Sequence, residues 1–275
     1  MKNLITRTIT GAIFVSLIAG SALWDPYTFA GLFLVVTLGC VYEFYRLFGQ
    51  QQFKPQQLTG MIISGVVYLV LIAIARDVIK ANFITLLLPI ILFPFVAELY
   101  RKHEQPFINI ALTLLPVLYI ALPLASLSFL FNDPRTVGLT SPYIVLGFFI
   151  LVWTGDTMAY LGGWTLGRHR LFERISPKKS WEGSIIGGLF ALGMAWFLSI
   201  FFTELSTFQW LGMALILIVA GTFGDLVESL LKRSVDVKDS GTIMPGHGGF
   251  LDRFDSAFLG APCVFMYINL ITSLQ

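Results

Sequence analysis

The sequence predicts an all-α, polytopic integral membrane protein with about nine transmembrane helices and a cytoplasmic N-terminus. Three observations lead there. Hydrophobic residues make up 56% of the 275 and charged residues only 12%, with mean hydropathy +0.79, whereas a soluble domain carries about a quarter charged residues. Apolar runs of about twenty residues, the length that crosses a bilayer as a helix, recur along the chain. The basic residues are segregated as well: with nine spans, fifteen of the eighteen lysines and arginines fall on the side of the N-terminus, and Arg76, Lys80 and Arg135 on the other. By the positive-inside bias the N-terminus is cytoplasmic and the C-terminus extracytoplasmic. A net charge of +2 is too small to argue for a nucleic-acid partner.

The spans are expected at residues 8–24, 27–45, 58–75, 83–99, 107–131, 143–162, 184–203, 209–226 and 257–274. The first follows Lys2 and Arg7 and has the look of a signal peptide, but in a polytopic chain an uncleaved first span is the expectation. Pro89, Pro94, Pro116 and Pro123 fall inside the fourth and fifth spans and predict kinks, which membrane helices tolerate. Cys40 and Cys263 lie within apolar runs without metal-ligand spacing and read as packing residues. The connector "GQQQFKPQQ" at 49–57 carries no chemical constellation. Two cytoplasmic loops, 163–183 and 227–256, are longer and rich in charge and glycine. The chain therefore divides into an N-terminal region of about five spans, 1–140, and a C-terminal catalytic region, 141–275. There is no internal repeat of the transporter kind.

The sixth span, "LVWTGDTMAYLGG", sets Asp156 deep in an apolar helix, where a carboxylate needs a partner, a proton or a functional site. Asp225 and Glu228 are three apart on one helical face, and Glu228 and Lys232 are four apart in the favourable orientation of an ordinary interfacial ion pair. Asp225 has no basic residue in the turn before it and needs a cation from elsewhere. In "GGFLDRFD", Asp252 and Asp255 are again three apart, with Arg253 pointing elsewhere. Hard cations such as Mg²⁺ take oxygen ligands from one or two carboxylates plus phosphates, so Asp225, Asp252 and Asp255 make a candidate metal site. The intervening "PGHGG" places His247 among glycines whose N–H groups can cradle phosphate. The loop "GRHRLFERISPKKSWEG" carries Arg168, Arg170, Arg174, Lys178 and Lys179. In "SPKKS", the hydroxyls of Ser176 and Ser180 join Lys178 and Lys179 around a stiffening Pro177, a combination suited to a phosphorylated ligand. Carboxylates for a metal, cations for phosphates and an apolar bundle for acyl chains together predict a metal-dependent transferase acting on a phosphorylated lipid.

The run "SLLKRSVDVKDSGTIMPGHGGFLDRFD", Ser229 to Asp255, resembles the signature of the phosphatidate cytidylyltransferase family, also called CDP-diacylglycerol synthases. Met244 stands where the family usually has Ile, Leu or Phe, a volume-conserving change. "GDTMAYLGG" and "SPKKSWEG" resemble further motifs of that family, with Ser180 where Thr is common. The resemblance implies transfer of a cytidylyl group from CTP to phosphatidate, giving CDP-diacylglycerol and pyrophosphate for phospholipid biosynthesis. It also implies Mg²⁺, with a monovalent cation such as K⁺ sharing its site. On that basis Asp225, Asp252 and Asp255 hold the metal, and Lys232, Arg233 and His247 join them as catalytic residues. Ser176, Lys178, Lys179, Ser180, Lys238, Asp239 and Arg253 stand at motif positions suited to substrate binding, and Asp156 completes the polar floor. The expected location is the inner (cytoplasmic) membrane, with the site facing the cytoplasm and the lipid bilayer as partner.

Two other readings are weighed. An ion-coupled transporter would account for Asp156 and Asp225, yet the charge lies almost wholly on one face. A CDP-alcohol phosphotransferase needs an Asp-Gly motif, and no such dipeptide occurs. Gly183, Gly187 and Gly188 would suit the seam of a homodimer or internal packing equally.

Overall fold

The computed structural model describes residues 2–49, 52–132, 140–241 and 248–273, with side chains from residue 8 onward. Arg135 and His247, both weighed above, lie outside the described residues. Among the described residues eight helices are long and apolar enough to cross a membrane, and a shorter apolar stretch, Thr8–Trp24, lies in the first helix. The nine expected spans all correspond to these elements. In chain order they are α1 (Lys2–Trp24), α2 (Pro26–Phe48) and α3 (Gln57–Ala75). A 3₁₀ turn (Ala81–Leu86) leads into α4 (Leu87–Leu99), and α5 (Pro106–Pro116) passes through a π turn into α6 (Leu122–Ser126). The long helices α7 (Tyr143–Leu166), α8 (Trp181–Phe201), α9 (Thr207–Ser234) and α10 (Leu251–Ser273) complete the chain.

The fifth span is the one the prolines break. Pro116 ends regular α-helix and the next five residues, Val117–Ala121, form a π turn before Pro123 sits in the first turn of α6. Lost i→i−4 bonds are the physical reason, since proline has no N–H to donate.

Two expectations are corrected. The loop 163–183 is not an irregular stretch: it holds a two-stranded antiparallel hairpin, β1 (Arg170–Phe172) and β2 (Ser176–Ser180), with Arg170 opposite Ser180 and a bulge before Phe172. The loop 227–256 is also shorter than expected, because α9 continues to Ser234 and α10 begins at Leu251. Leucines and the Glu228–Lys232 pair keep helical periodicity beyond the apolar run, and Lys232 and Arg233 in the last turn oppose the helix dipole. Hydropathy marks where a helix leaves the membrane, not where it ends.

The chain forms two compact units. The first comprises residues 1–129 and 234–254, the second 130–233 and 255–275. Within the first, Tyr45 Oη of α2 donates to the Thr113 carbonyl at 2.7 Å, and Gly60 of α3 leaves space for the phenol; a Cβ there would collide with the ring. Buried Glu98 of α4 accepts from Gln56, Asn109 and Arg101, at 2.7, 3.1 and 2.8 Å, so a carboxylate at a helix end is fully met by donors.

Within the second unit, α7 and α8 lie against each other through small residues. A Cβ on Gly183 would meet the Ala159 carbonyl at 2.6 Å, and one on Gly187 would meet the Gly155 carbonyl at 2.6 Å. Close backbone approach of this kind is how membrane helices gain packing contacts without a hydrophobic driving force between them. Gly188 faces Ile218 of α9. The glycine stripe is therefore used inside this unit, which is one of the two readings the sequence left open. Replacing Gly187 by Leu is expected to lower stability by about 2 kcal/mol or more through overpacking. Thermal unfolding in detergent measures this, with Gly193→Leu as control, since a Cβ at Gly193 meets nothing within 4 Å.

Candidate active site

Helix α9 delivers Asp225 and Glu228 one turn apart, and α10 delivers Asp255 to the same place. One oxygen from each of the three carboxylates lies within 4.8 Å of the others. The approach of α10 depends on two glycines of α9: a Cβ on Gly224 would meet the Asp255 carbonyl at 2.5 Å, and one on Gly221 would touch the Ser256 side chain at 3.5 Å. Asp255 Oδ1 accepts from the Ser256 N–H at 2.6 Å, which fixes its rotamer. Asp156 of α7 is a further anionic neighbour of Asp255, with Asp225 and Glu228. Asp156 lies within the apolar run of α7, as expected, and is exposed.

Cations reach this group from two directions. Lys179, on β2, pairs with Asp225, supplying from 46 residues away in the numbering the cation that Asp225 lacks on its own helix. Lys232 Nζ lies 2.6 Å from Glu228 Oε2. In these pairs each ammonium group meets one carboxylate, and Asp255 and Asp156 add further acidic groups nearby; a cluster of acids of this kind is what draws a hard cation. All the donors are oxygens, which fits Mg²⁺ rather than a soft metal.

The hairpin that carries Lys179 is pinned at its base. Ser180 is buried, and its hydroxyl accepts from the Gly183 N–H at 3.2 Å as the N-cap of α8. This gives the motif hydroxyl a structural task that the sequence reading, which assigned Ser180 to substrate, did not include. Glu182 accepts from the backbone N–H groups of Arg168 and His169, at 3.1 and 3.2 Å, and lies 2.5 Å from His169 Nδ1. Ser176 is half-buried on β2, while Arg168, Arg170, Arg174, Lys178 and, at the end of α9, Arg233 are exposed.

The remaining predicted residues belong to the first unit. Lys238, Asp239 and Arg253 are exposed. Asp252, in the first turn of α10, accepts at Oδ2 from Ser240 N, Ser240 Oγ and Gly249 N, at 3.2, 3.0 and 2.9 Å. It is not one of the three carboxylates grouped above. The Gly249 N–H, counted by sequence among donors for phosphate, is thus directed to Asp252. Gly248 has φ +84°, and a Cβ there would also meet Asp252 Oδ2 at 2.7 Å, so only glycine fits.

Two residues were undervalued by sequence reasoning. Glu228 looked like half of an exposed pair, yet it is 1% exposed and stands among the metal-competent acids. Its three-residue spacing from Asp225 was the available signal. Glu43 of α2 was passed over altogether, although a lone acid in an apolar span is itself a signal. Because Glu228 is buried, Lys232→Met is expected to destabilise the protein by about 3 kcal/mol, the cost of a buried charge left without its partner. Adding Glu228→Gln should restore most of the loss, and equilibrium unfolding of the two variants measures it.

The sequence matches the profile of the Cytidylyltransferase family over residues 5–271. It is 42% identical over 163 residues to the phosphatidate cytidylyltransferase of Staphylococcus aureus (strain COL), covering 58% of this chain and 60% of that protein. The phosphatidate cytidylyltransferase of Staphylococcus haemolyticus (strain JCSC1435) is 40% identical over the same shares. That of Rickettsia bellii (strain RML369-C) is 34% identical over 217 residues, 76% of this chain and 89% of that one. The matched segment spans 60% of the length of the staphylococcal relatives. With nearly the whole chain matched by the profile, this protein belongs to the Cytidylyltransferase family.

Proposed function

We propose that this multi-pass membrane protein transfers the cytidylyl group of CTP to phosphatidate, yielding CDP-diacylglycerol and pyrophosphate. The observation that carries the reading is the meeting of Asp225, Glu228 and Asp255, with Lys179 paired to Asp225, in a member of this family. An oxygen of the lipid phosphate attacks the α-phosphorus of CTP, the bond from that phosphorus to the bridging oxygen breaks, and pyrophosphate departs with the electron pair. Two anions must be brought together for this, and positioning with charge neutralisation is most of the work.

Asp225, Glu228 and Asp255 would hold a divalent cation such as Mg²⁺, which when bound supplies positive charge to the triphosphate. The motif assigns Asp252 to the same metal. Lys179 then exchanges its Asp225 partner for a phosphate oxygen, and Lys178 and Ser176 on the same strand extend that basic surface. Lys232, Arg233 and Lys238 serve the phosphates of CTP or of phosphatidate, and Asp239 and Arg253 flank them. His247 acts from the glycine-rich segment, and Asp156 lines the site from α7. A monovalent cation such as K⁺ shares the acidic group. The segregation of fifteen of eighteen basic residues supports a cytoplasmic side for this chemistry and for the N-terminus.

Purified protein incubated with CTP, phosphatidate and Mg²⁺ should release pyrophosphate and form CDP-diacylglycerol. Absence of both from folded protein, over a range of detergents and with K⁺ exchanged for Na⁺, would sink the reading. Asp255→Asn and Asp252→Asn should each lower kcat by roughly 100-fold or more, as for loss of groups that act on transition-state charge, without loss of secondary structure. Wild-type turnover in either variant removes that residue from the metal site.

A further inference from the structure

Glu43 sits near the C-terminal end of α2, is 1% exposed, and was given no part in the chemistry above. Its Oε2 accepts from Ser240 Oγ at 3.1 Å and from the Leu251 N–H at 3.0 Å, so one carboxylate oxygen holds both Ser240 and the first residue of α10. The partners are 197 and 208 residues away in sequence. Two glycines admit this carboxylate. A Cβ on Gly241 would meet Glu43 Oε1 at 2.6 Å, and one on Gly249 would collide with both Glu43 Oε2 and Ser240 Oγ. One turn earlier on α2, Gly39 leaves space for the Phe250 ring, whose Cδ2 a Cβ would meet at 2.8 Å. The glycines of the signature are therefore explained in part by the close seating of this segment on α2.

The Ser240 hydroxyl joins Glu43 to Asp252, lying 3.1 Å from Glu43 Oε2 and 3.0 Å from Asp252 Oδ2. Asp252 Oδ2 is thus met by the Ser240 hydroxyl, which Glu43 also contacts, and by the N–H groups of Ser240 and Gly249. Outer partners of this kind orient metal-binding carboxylates and tune their affinity.

We propose that Glu43 is a positioning residue: it clamps Ser240 and Leu251 and, through the Ser240 hydroxyl, fixes Asp252 for the metal. This rests on the reading of Asp252 as a metal ligand in cytidylyl transfer. The test uses the full-length protein in detergent with Mn²⁺ as spectroscopic probe. Glu43→Ala should weaken Mn²⁺ binding and lower kcat by roughly 10- to 100-fold, the usual range for loss of an outer-shell partner. The KM for phosphatidate should stay within about twofold, because binding shared by ground and transition states is untouched. Amide hydrogen exchange at Ser240, Gly249 and Leu251 should accelerate, reporting local opening. Glu43→Gln keeps an oxygen for the Leu251 N–H and should recover most of what Glu43→Ala loses.

Folded Glu43→Ala with wild-type Mn²⁺ affinity and exchange would overturn the proposal, as would a Gln variant no better than the Ala variant. Should Glu43→Ala fail to fold, Ser240→Ala carries the test, with Mn²⁺ binding weakened by roughly 10-fold expected and wild-type binding overturning it. Absence of CTP turnover in the wild-type protein would count against the reaction alone, since exchange and Mn²⁺ binding still report on the clamp.

Discussion

Mutual repulsion of carboxylates is the constraint on which the second unit depends. At 4 Å two like charges repel by about 4 kcal/mol at an effective dielectric constant of 20, and by more where water is excluded. Asp225, Glu228 and Asp255 nevertheless hold oxygens within 4.8 Å of one another. What keeps them there is backbone geometry: Gly224 of α9 lies against the Asp255 backbone of α10, and Gly221 against the small Ser256 side chain. Helical register fixes the first two acids relative to each other, and the glycine contact fixes the third relative to both. Lys179 and Lys232 offset part of the repulsion. The hairpin exists in this scheme to bring a lysine from outside the helices, and the Ser180 cap ties it to α8.

The first unit holds single buried carboxylates, chiefly with neutral donors. Glu98 is met by Gln56 and Asn109 as well as Arg101, a saturated network that leaves the carboxylate no capacity for chemistry. Glu43 is met by a serine hydroxyl and a backbone N–H. Both acids are buried, yet one ends a helix connection and the other holds a motif segment. Burial alone does not distinguish a structural acid from one that serves a site; the identity of the donors does.

Most of the fold was legible because a bilayer imposes a length on helices that composition reveals directly. Asp225 and Asp255, expected as members of an acidic site, do come together, but with Glu228 and not Asp252, although spacing of three pairs Asp225 with Glu228 and Asp252 with Asp255 in the sequence alike. The hairpin was not legible, since three- and five-residue strands next to a basic turn carry too little hydrophobic alternation to register. Nor was the helical state of 227–234, where charged residues continue a helix that hydropathy alone would end. Glu43 escaped notice for a different reason: its partners are two hundred residues away, and nothing in the local sequence of α2 foretells Ser240 or Leu251. The division of labour between Asp252 and Asp255 also could not be read from the motif, because identical spacing says nothing of which donors surround each acid.

The continuation of α9 to Ser234 has a consequence for how this chain can vary. Asp225, Glu228, Lys232 and Arg233 stand on one rigid rod, with Asp225 and Arg233 about 12 Å apart along its axis at 1.5 Å per residue. A single inserted residue between them would turn the basic end by about 100° relative to the acidic end. Lineages carrying this fold should therefore keep the length of α9 between Asp225 and Arg233 fixed, and the spacing of its acidic and basic ends should change only by substitution.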